Sequence, residues 1–591
     1  MRASLAWRWT FLCFAALLLA APPAEAIDVE RWDWGFDGHV VPMVFNLLTV
    51  EVANNSPTAF EGKIALQEGN GMVRSDLPLV EEGLYIEPYG KRRLQFFPFI
   101  NESWTEFTLI WGDKPEERLA VAGPANPLRN GGRATVLIRD AATSLQVRSK
   151  LPTFDEGDFP ISVAGMDSLK GVVLDHVPRW DGLRMQAFRE WIGAGGQVHL
   201  LKGVNGEYPK FPAPLEGLNE PSDAVSIDNG RVFHHPFTVG EINDQFVSRT
   251  LGIKRAQEDL SNRGYSNEYQ FQPSNSIAPL LRDLTRPDHN WGLIYFLSFI
   301  YLLVVFPGCW LLGRRRADFR ISYPALLAAV FLFSLAFKTV GQRGYGEETA
   351  WNAVGTAKRV APGRFLTETW SNAFVTSGKM YEFKHKGDGL IYSSGGSNDT
   401  RRGECVNRPA SKIVTEIPPF SSQTILHTSV VTAPDFNVEL RKADVAGTIA
   451  ELELELSGQV PQIISLHGVY GTQLLNLTRD GNLLKSTSMS PLMSFVQNSN
   501  YGYSPYRNYN SPRDPATIYL NAEQPLIARS LRLMDETRNN GDNLQAPAGV
   551  VRVFLYAETP AEFLEIDGGP EKRQGRTLYV FDFAVDQGRG E

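Results

Sequence analysis

The chain has 591 residues, with 58 Lys and Arg against 66 Asp and Glu, for a formal net charge of −8. That balance excludes the basic footprint of a nucleic-acid binder, and the length allows several domains with proper cores. Three cysteines, Cys13, Cys309 and Cys405, fall in three separate segments, so no intrachain disulfide is expected.

Residues 1–26 read as a secretory signal peptide. Arg2 and Arg8 precede the apolar run Trp9–Ala21, and Ala24-Glu25-Ala26 offers a small-x-small cleavage site. An uncleaved anchor is the rival reading. Cys13 follows Leu12, where a lipobox needs a small residue, so it is no lipidation site.

Residues 27–130 alternate apolar and polar positions, as at Val50 and Val52 and again at Ile64 and Leu66, around the turn Asn54-Asn55-Ser56-Pro57. Period-two alternation marks half-buried antiparallel strands. Two further strand segments, around Leu84–Phe99 and Trp104–Asp113, are punctuated by Pro88-Tyr89-Gly90. The expectation is an immunoglobulin-like β-sandwich, without the Cys…Trp…Cys core of antibody domains.

After Gly131-Gly132 the period changes, and residues 131–250 predict a flavodoxin-like α/β domain. Ala134–Asp140, Phe159–Asp167, Gly171–Val177 and Gln197–Leu201 are short apolar runs suited to a parallel sheet. Between the last two, Leu183, Ala187, Phe188, Trp191 and Ile192 fall on one helical face. Asp181 is placed to cap that helix, and Gly193, Gly195 and Gly196 to end it.

Open α/β sheets bind ligands at the carboxyl ends of their strands. Those ends are expected to carry Asp140, Asp167, Asp175, His176 and Lys202. Converging carboxylates there suit a hard cation such as Mg²⁺ or Ca²⁺, and solvated acidic loops give the same pattern. His234 and His235, adjacent in a strand segment, point to opposite faces and suit no single ion.

The segment GVVLDHVPRWDGLRMQAFREWIGAGGQVHLL resembles the strand–helix–Gly-Gly–strand core of class I glutamine amidotransferase-like domains found in bacterial envelope proteins. In the catalytic family a nucleophilic Cys follows a strand, backed by His and an acidic residue. This chain has no Cys between Cys13 and Cys309, so the resemblance implies a non-catalytic descendant. It also implies work beside MoxR-type ATPases and von Willebrand factor A membrane proteins.

Residues 251–290 form a polar juxtamembrane segment, in which Ile277, Leu280, Leu281 and Leu284 make a short apolar stripe. That stripe suits a helix on the membrane surface or one packed on the sheet. Two apolar stretches follow at 291–313 and 321–340. A span needs about 20 apolar residues, so they predict a two-helix transmembrane hairpin. Their link, residues 314–320, holds Arg314, Arg315, Arg316 and Arg320 against Asp318. Short Arg-rich links stay cytoplasmic, which puts both large segments on the extracytoplasmic side of a bacterial inner membrane.

Residues 341–591 predict a β-rich domain. Leu452, Leu454 and Leu456 alternate with Glu451, Glu453 and Glu455, and the aromatic-rich runs 550–558 and 577–586 read likewise as strands. One helix is expected to open at Pro525. The polar run 498–515 presents Tyr501, Tyr503, Tyr506 and Tyr509, good contact residues for a sugar ring or a partner protein, unless they fold back on the sandwich.

With no nucleophile, metal motif or phosphate loop assigned, the expected function is non-enzymatic. It is that of a membrane-anchored binding or assembly protein with no cofactor, whose partners are the lipid bilayer and other envelope or membrane proteins. The alternative is a ligand- or metal-binding sensor, or a hydrolase, using the strand ends of the α/β domain. Its anchors would be Asp140, Asp167, Asp175 and His176, beside the four tyrosines as a separate contact loop.

Overall fold

The structure is a computed structural model that describes the chain from Ile27 to Val585. The exceptions are residues 37, 39, 42, 70–76, 101–105, 123–132, 141–150, 252–272, 286–290, 342–347, 386–388, 395–401, 408–410, 447, 501–513, 533–543 and 548. The expected signal peptide and all four loop tyrosines, Tyr501, Tyr503, Tyr506 and Tyr509, therefore lie outside the described residues.

Most of the described chain is β-sheet, in sheets of three, six, eight and eleven strands. The first 100 or so residues place Ile27–Trp34, Leu48–Asn54 and Lys91–Phe96 in one sheet and Phe60–Gly69, Leu79–Ile86, Glu106–Ile110 and Arg118–Val121 in another. Alternate residues from both, among them Val50, Val52, Ile64, Leu66 and Leu109, are buried in one core. Asn54 fixes the turn between two of these strands: its amide donates to the Thr58 carbonyl at 2.8 Å and its side-chain oxygen accepts from Ser56 N at 3.0 Å.

The six-stranded sheet is mostly parallel. Ala134–Arg139, Leu169–Leu174, Gln197–Lys202 and Gly230–Thr238 pair in parallel, with Ala224–Ile227 added antiparallel at one edge. The helix Gly182–Gly193 crosses between two of them, capped by Asp181, which accepts from Arg184 N at 2.8 Å. It ends where Gly195 takes a φ of 118° and Gly196 lies under Trp191; a Cβ at Gly196 would stand 2.6 Å from that ring. Four of the five residues expected on its inner face are buried, but Leu183 is 60% exposed because it lies in the first turn, beyond the sheet.

Two elements differ from those the sequence predicts. Phe159–Asp167 is no strand; its end is a short 3-10 turn, Val163–Met166, packed into the core. A Pro-Ile-Ser opening and Gly165 break the extended run, and Gly165 fits only because it lacks a side chain: a Cβ there would stand 2.4 Å from the Phe97 ring. The helix expected to open at Pro525 opens at Pro515 and runs to Arg532. Asp514 caps it, taking Ala516 N at 3.2 Å and the Thr517 hydroxyl at 3.1 Å, and that start outcompetes the later proline.

Two helical runs, Gly292–Arg315 and Phe319–Thr339, are long and apolar enough to cross a membrane, with mean hydropathy 2.1 and 1.7. Within their most apolar windows only 0% and 6% of residues are buried, unlike the core helix of a water-soluble domain. They touch as a hairpin, Tyr301 against Phe333 at 5.2 Å between ring centroids and Ser322 donating to the Cys309 carbonyl at 3.0 Å.

The segments before and after the hairpin, expected as separate domains, pack as one body. Leu79 of the first pairs with Cys405 of the second, which joins their strands into the eight-stranded sheet. The helix Pro273–Asp283 carries the expected stripe, and Ile277, Leu280 and Leu281 are buried against the helix Pro515–Arg532 and the eleven-stranded sheet, not laid on a membrane. The helix Gly182–Gly193 meets the first strand after the hairpin, Ala350–Ala361, so closely that a Cβ on Gly193 would stand 2.2 Å from the Val360 carbonyl oxygen. The physical reason is area: the large sheet offers an apolar face that neither segment covers alone.

Candidate functional site

The carboxyl edge of the parallel sheet gathers Asp140, Asp175 and His176, but not Asp167. Asp140 directly follows Ala134–Arg139, and Asp175 and His176 directly follow Leu169–Leu174. His176 lies between two carboxylates: its Nδ1 is 2.7 Å from Asp175 and its Nε2 is 3.5 Å from Glu156. Glu156, 7% exposed, also accepts from Arg179 N at 3.0 Å, and its backbone carbonyl accepts from the Trp180 indole at 3.0 Å. The Arg179 guanidinium reaches back to Asp140 at 3.4 Å. Lys202 stands apart, 5.9 Å above the Tyr208 ring.

Burial alone would lower the His176 pKa, but the hydrogen bond and charge of Asp175, with Glu156 behind, outweigh it and raise the imidazole above its ordinary value. The result is a line in which the Arg179 guanidinium meets Asp140, its backbone N–H meets Glu156, and Glu156 and Asp175 flank His176. Among the described residues no three His, Cys, Asp or Glu side chains are grouped to hold a metal ion, so a hard-cation site finds no ligand set there.

Asp167 corrects the sequence expectation. Because Phe159–Asp167 is not a strand, Asp167 precedes Leu169–Leu174 and sits at its amino end, on the opposite edge of the sheet. That edge faces the eleven-stranded sheet. Burial, reinforced by the Glu368 carboxylate, pushes its carboxyl up to about 7 against the pull of Arg133, Arg529 and Lys358. Lys358 is pushed down to about 8 by burial and by Arg552 and Arg133. Around them run two guanidinium forks. Arg529, 2% exposed, grips both oxygens of Glu368, donates to the Met43 carbonyl at 2.7 Å and lies 4.7 Å over the Trp370 ring. Arg552 holds Asp582 at 2.7 Å through two nitrogens and donates to the Ser530 carbonyl at 2.6 Å. This is a joint between the two segments.

His234 and His235 part company across the strand. His234 Nε2 lies 3.3 Å from the Leu218 carbonyl oxygen, and His235 Nε2 lies 3.0 Å from His199 Nδ1. His199 is held neutral: burial, with some help from His235, lowers its pKa to about 3. Sequence reasoning missed Glu156 and Arg179. Both lie outside the apolar runs that marked strand ends, and only the folding of residues 151–159 beneath Trp180 brings Glu156 to the site.

No family model matches the chain, and none of the curated proteins does. Among solved structures the chain is similar to a Paenibacillus sp. cycloisomaltooligosaccharide glucanotransferase complexed with cycloisomaltoheptaose, at 9% identity and a TM-score of 0.16. The match covers 78% of this chain and 98% of that one. A score that low carries no argument about fold or function.

Proposed function

We propose that this chain is a membrane-anchored, non-enzymatic binding or assembly protein of the bacterial envelope. Its two large segments would close into one extracytoplasmic body over a two-helix anchor. The observation that carries this is the joint: Arg529 ties Glu368 to Met43, and Gly193 admits the Val360 carbonyl, so chain from both sides of the hairpin is fixed in one piece. A body held rigid at the membrane suits the presentation of docking surfaces. An Arg-rich link on the cytoplasmic side and an extracytoplasmic body follow from the charge rule. The non-catalytic amidotransferase-like character of residues 131–250 belongs to the same proposal, supported by the mostly parallel sheet with its crossover helix.

Affinity capture of the intact protein from gently solubilised membranes tests this. Stoichiometric membrane or exported partners are expected, and an intact protein that comes out alone overturns it. Alkaline phosphatase fused in the 314–320 link would be inactive, and active after residue 585, if the sidedness is right.

One observation favours the alternative of a ligand site at the carboxyl edge: His176 is oriented by Asp175 with Nε2 facing Glu156. A screen of small carboxylate and amide ligands by thermal shift, run on the native chain and on His176→Ala, separates the two. A shift that disappears in the variant would move the function to that edge.

A further inference from the structure

Met380 and Phe420 are large apolar side chains left 52% and 48% exposed, each beside one of two turns that meet where the chain passes between the eight- and eleven-stranded sheets. Phe420 ends the turn Pro418-Pro419-Phe420, between the strands Lys412–Ile417 and Ser421–Thr432. Met380 follows the turn Thr376-Ser377-Gly378, between Arg364–Val375 and Lys379–His385. The two turns form one tip. A Cβ on Gly378 would stand 2.6 Å from Pro419 Cδ, and Ser421 Oγ donates to the Pro418 carbonyl at 2.8 Å. Phe420 takes a φ of 54°, a left-handed conformation that turns the chain back into the sheet, and its side chain stays half-exposed. Lys379 flanks it, 5.0 Å over the Tyr381 ring.

The place of this tip in the chain gives it a partner. Ala350, Phe374 and Ser422 are aligned across three neighbouring strands, so the base of the tip lies about 10 Å from Ala350. Ala350 is nine residues beyond Gly341, the end of the second apolar helix, a reach of at most about 32 Å. The other tether is as short: Asp283, on a helix packed into the body, is eight residues before Trp291, a reach of at most about 28 Å. The Ala350 tether limits how far this end of the body can stand from the membrane, and the Asp283 tether keeps the body as a whole close to it. Aromatic and apolar tips beside a lysine settle at the headgroup level, and a tethered surface needs only weak affinity to stay there.

We propose that the Met380–Phe420 tip is a second, interfacial membrane contact, resting among lipid headgroups and setting the tilt of the body on its two-helix anchor. This rests on the hairpin being a membrane anchor. The test is photo-crosslinking of the full chain in phosphatidylethanolamine–phosphatidylglycerol liposomes, with benzoylphenylalanine at position 420 or 380. Positions 89 and 520, exposed apolar sites elsewhere, serve as references, and position 331 on the hairpin as the lipid standard. Lipid adducts at 420 and 380 are expected at several-fold the yield at 89 and 520. Equal yields, or adducts from 420 to another copy of the chain, overturn the tip while 331 still labels lipid. Loss of lipid adducts at 331 overturns the anchor itself.

Discussion

At the carboxyl edge of the parallel sheet, Asp175 and Glu156 hold His176 in a half-exposed line. At the amino edge, Asp167 sits against the large sheet among Arg133, Lys358, Glu368 and Arg529. The residue types are alike, but the surroundings are not. At the outer edge Asp140 and Asp175 keep some water, and the buried Glu156 is met by the Arg179 backbone and His176. At the inner edge, burial drives one carboxyl up to about 7 while a forked guanidinium grips both oxygens of its neighbour Glu368. Which edge faces the second segment decides whether an acidic residue is a ligand candidate or part of a joint.

The inner edge is most exposed to disruption at Arg529. Removing one partner of a buried pair leaves the other uncompensated, so Arg529→Ala should cost about 3–5 kcal/mol. It should also loosen the contact at Met43. Hydrogen exchange of the full chain in detergent micelles reads both, and a loss below about 1 kcal/mol would mean the joint is not locked there.

Gly193→Ala attacks the same joint without touching a charge. The new methyl meets the Val360 backbone at 2.2 Å, so a loss of about 2–3 kcal/mol is expected. Protease cleavage between the segments should quicken along with it.

Asp167 sharpens the contrast through pH. Its folded pKa lies above the ordinary Asp value of 3.8, so its contribution is fully present below pH 3.8 and is lost as pH rises through about 7. Asp167→Asn should therefore match the native chain near pH 4 and exceed it by about 1–2 kcal/mol at pH 8. Urea titrations at the two pH values check this; equal curves at pH 8 would show that water reaches the carboxylate.

His176 gives the smallest effect. Its folded pKa is raised, so its stabilisation is present below about pH 6.5 and fades as pH rises through the folded value. His176→Asn should cost about 0.5–1 kcal/mol at pH 5.5 and almost nothing at pH 8.5. An NMR titration of the imidazole that fell below 6.5 would reverse the sign.

Local patterns carried much of this structure on their face. Alternation at Leu452, Leu454 and Leu456, the Asp181 cap and the two uncharged apolar runs each depend on neighbours within a few residues, so sequence alone determined those strands, that helix start and the two candidate spans. It also brought Asp140, Asp175 and His176 to one edge, since each follows directly from the end of an apolar run. Asp167 went to the other edge because Gly165 had to fit under Phe97, a contact some 70 residues away in sequence. The closing of the two segments into one body was likewise a tertiary decision. It follows from an apolar sheet face too large for either segment to cover, and from contacts across the segments such as that of Arg529 with the Met43 carbonyl, 486 residues apart in sequence. Periodicity reports which face of an element is buried; only the assembled fold determines what buries it.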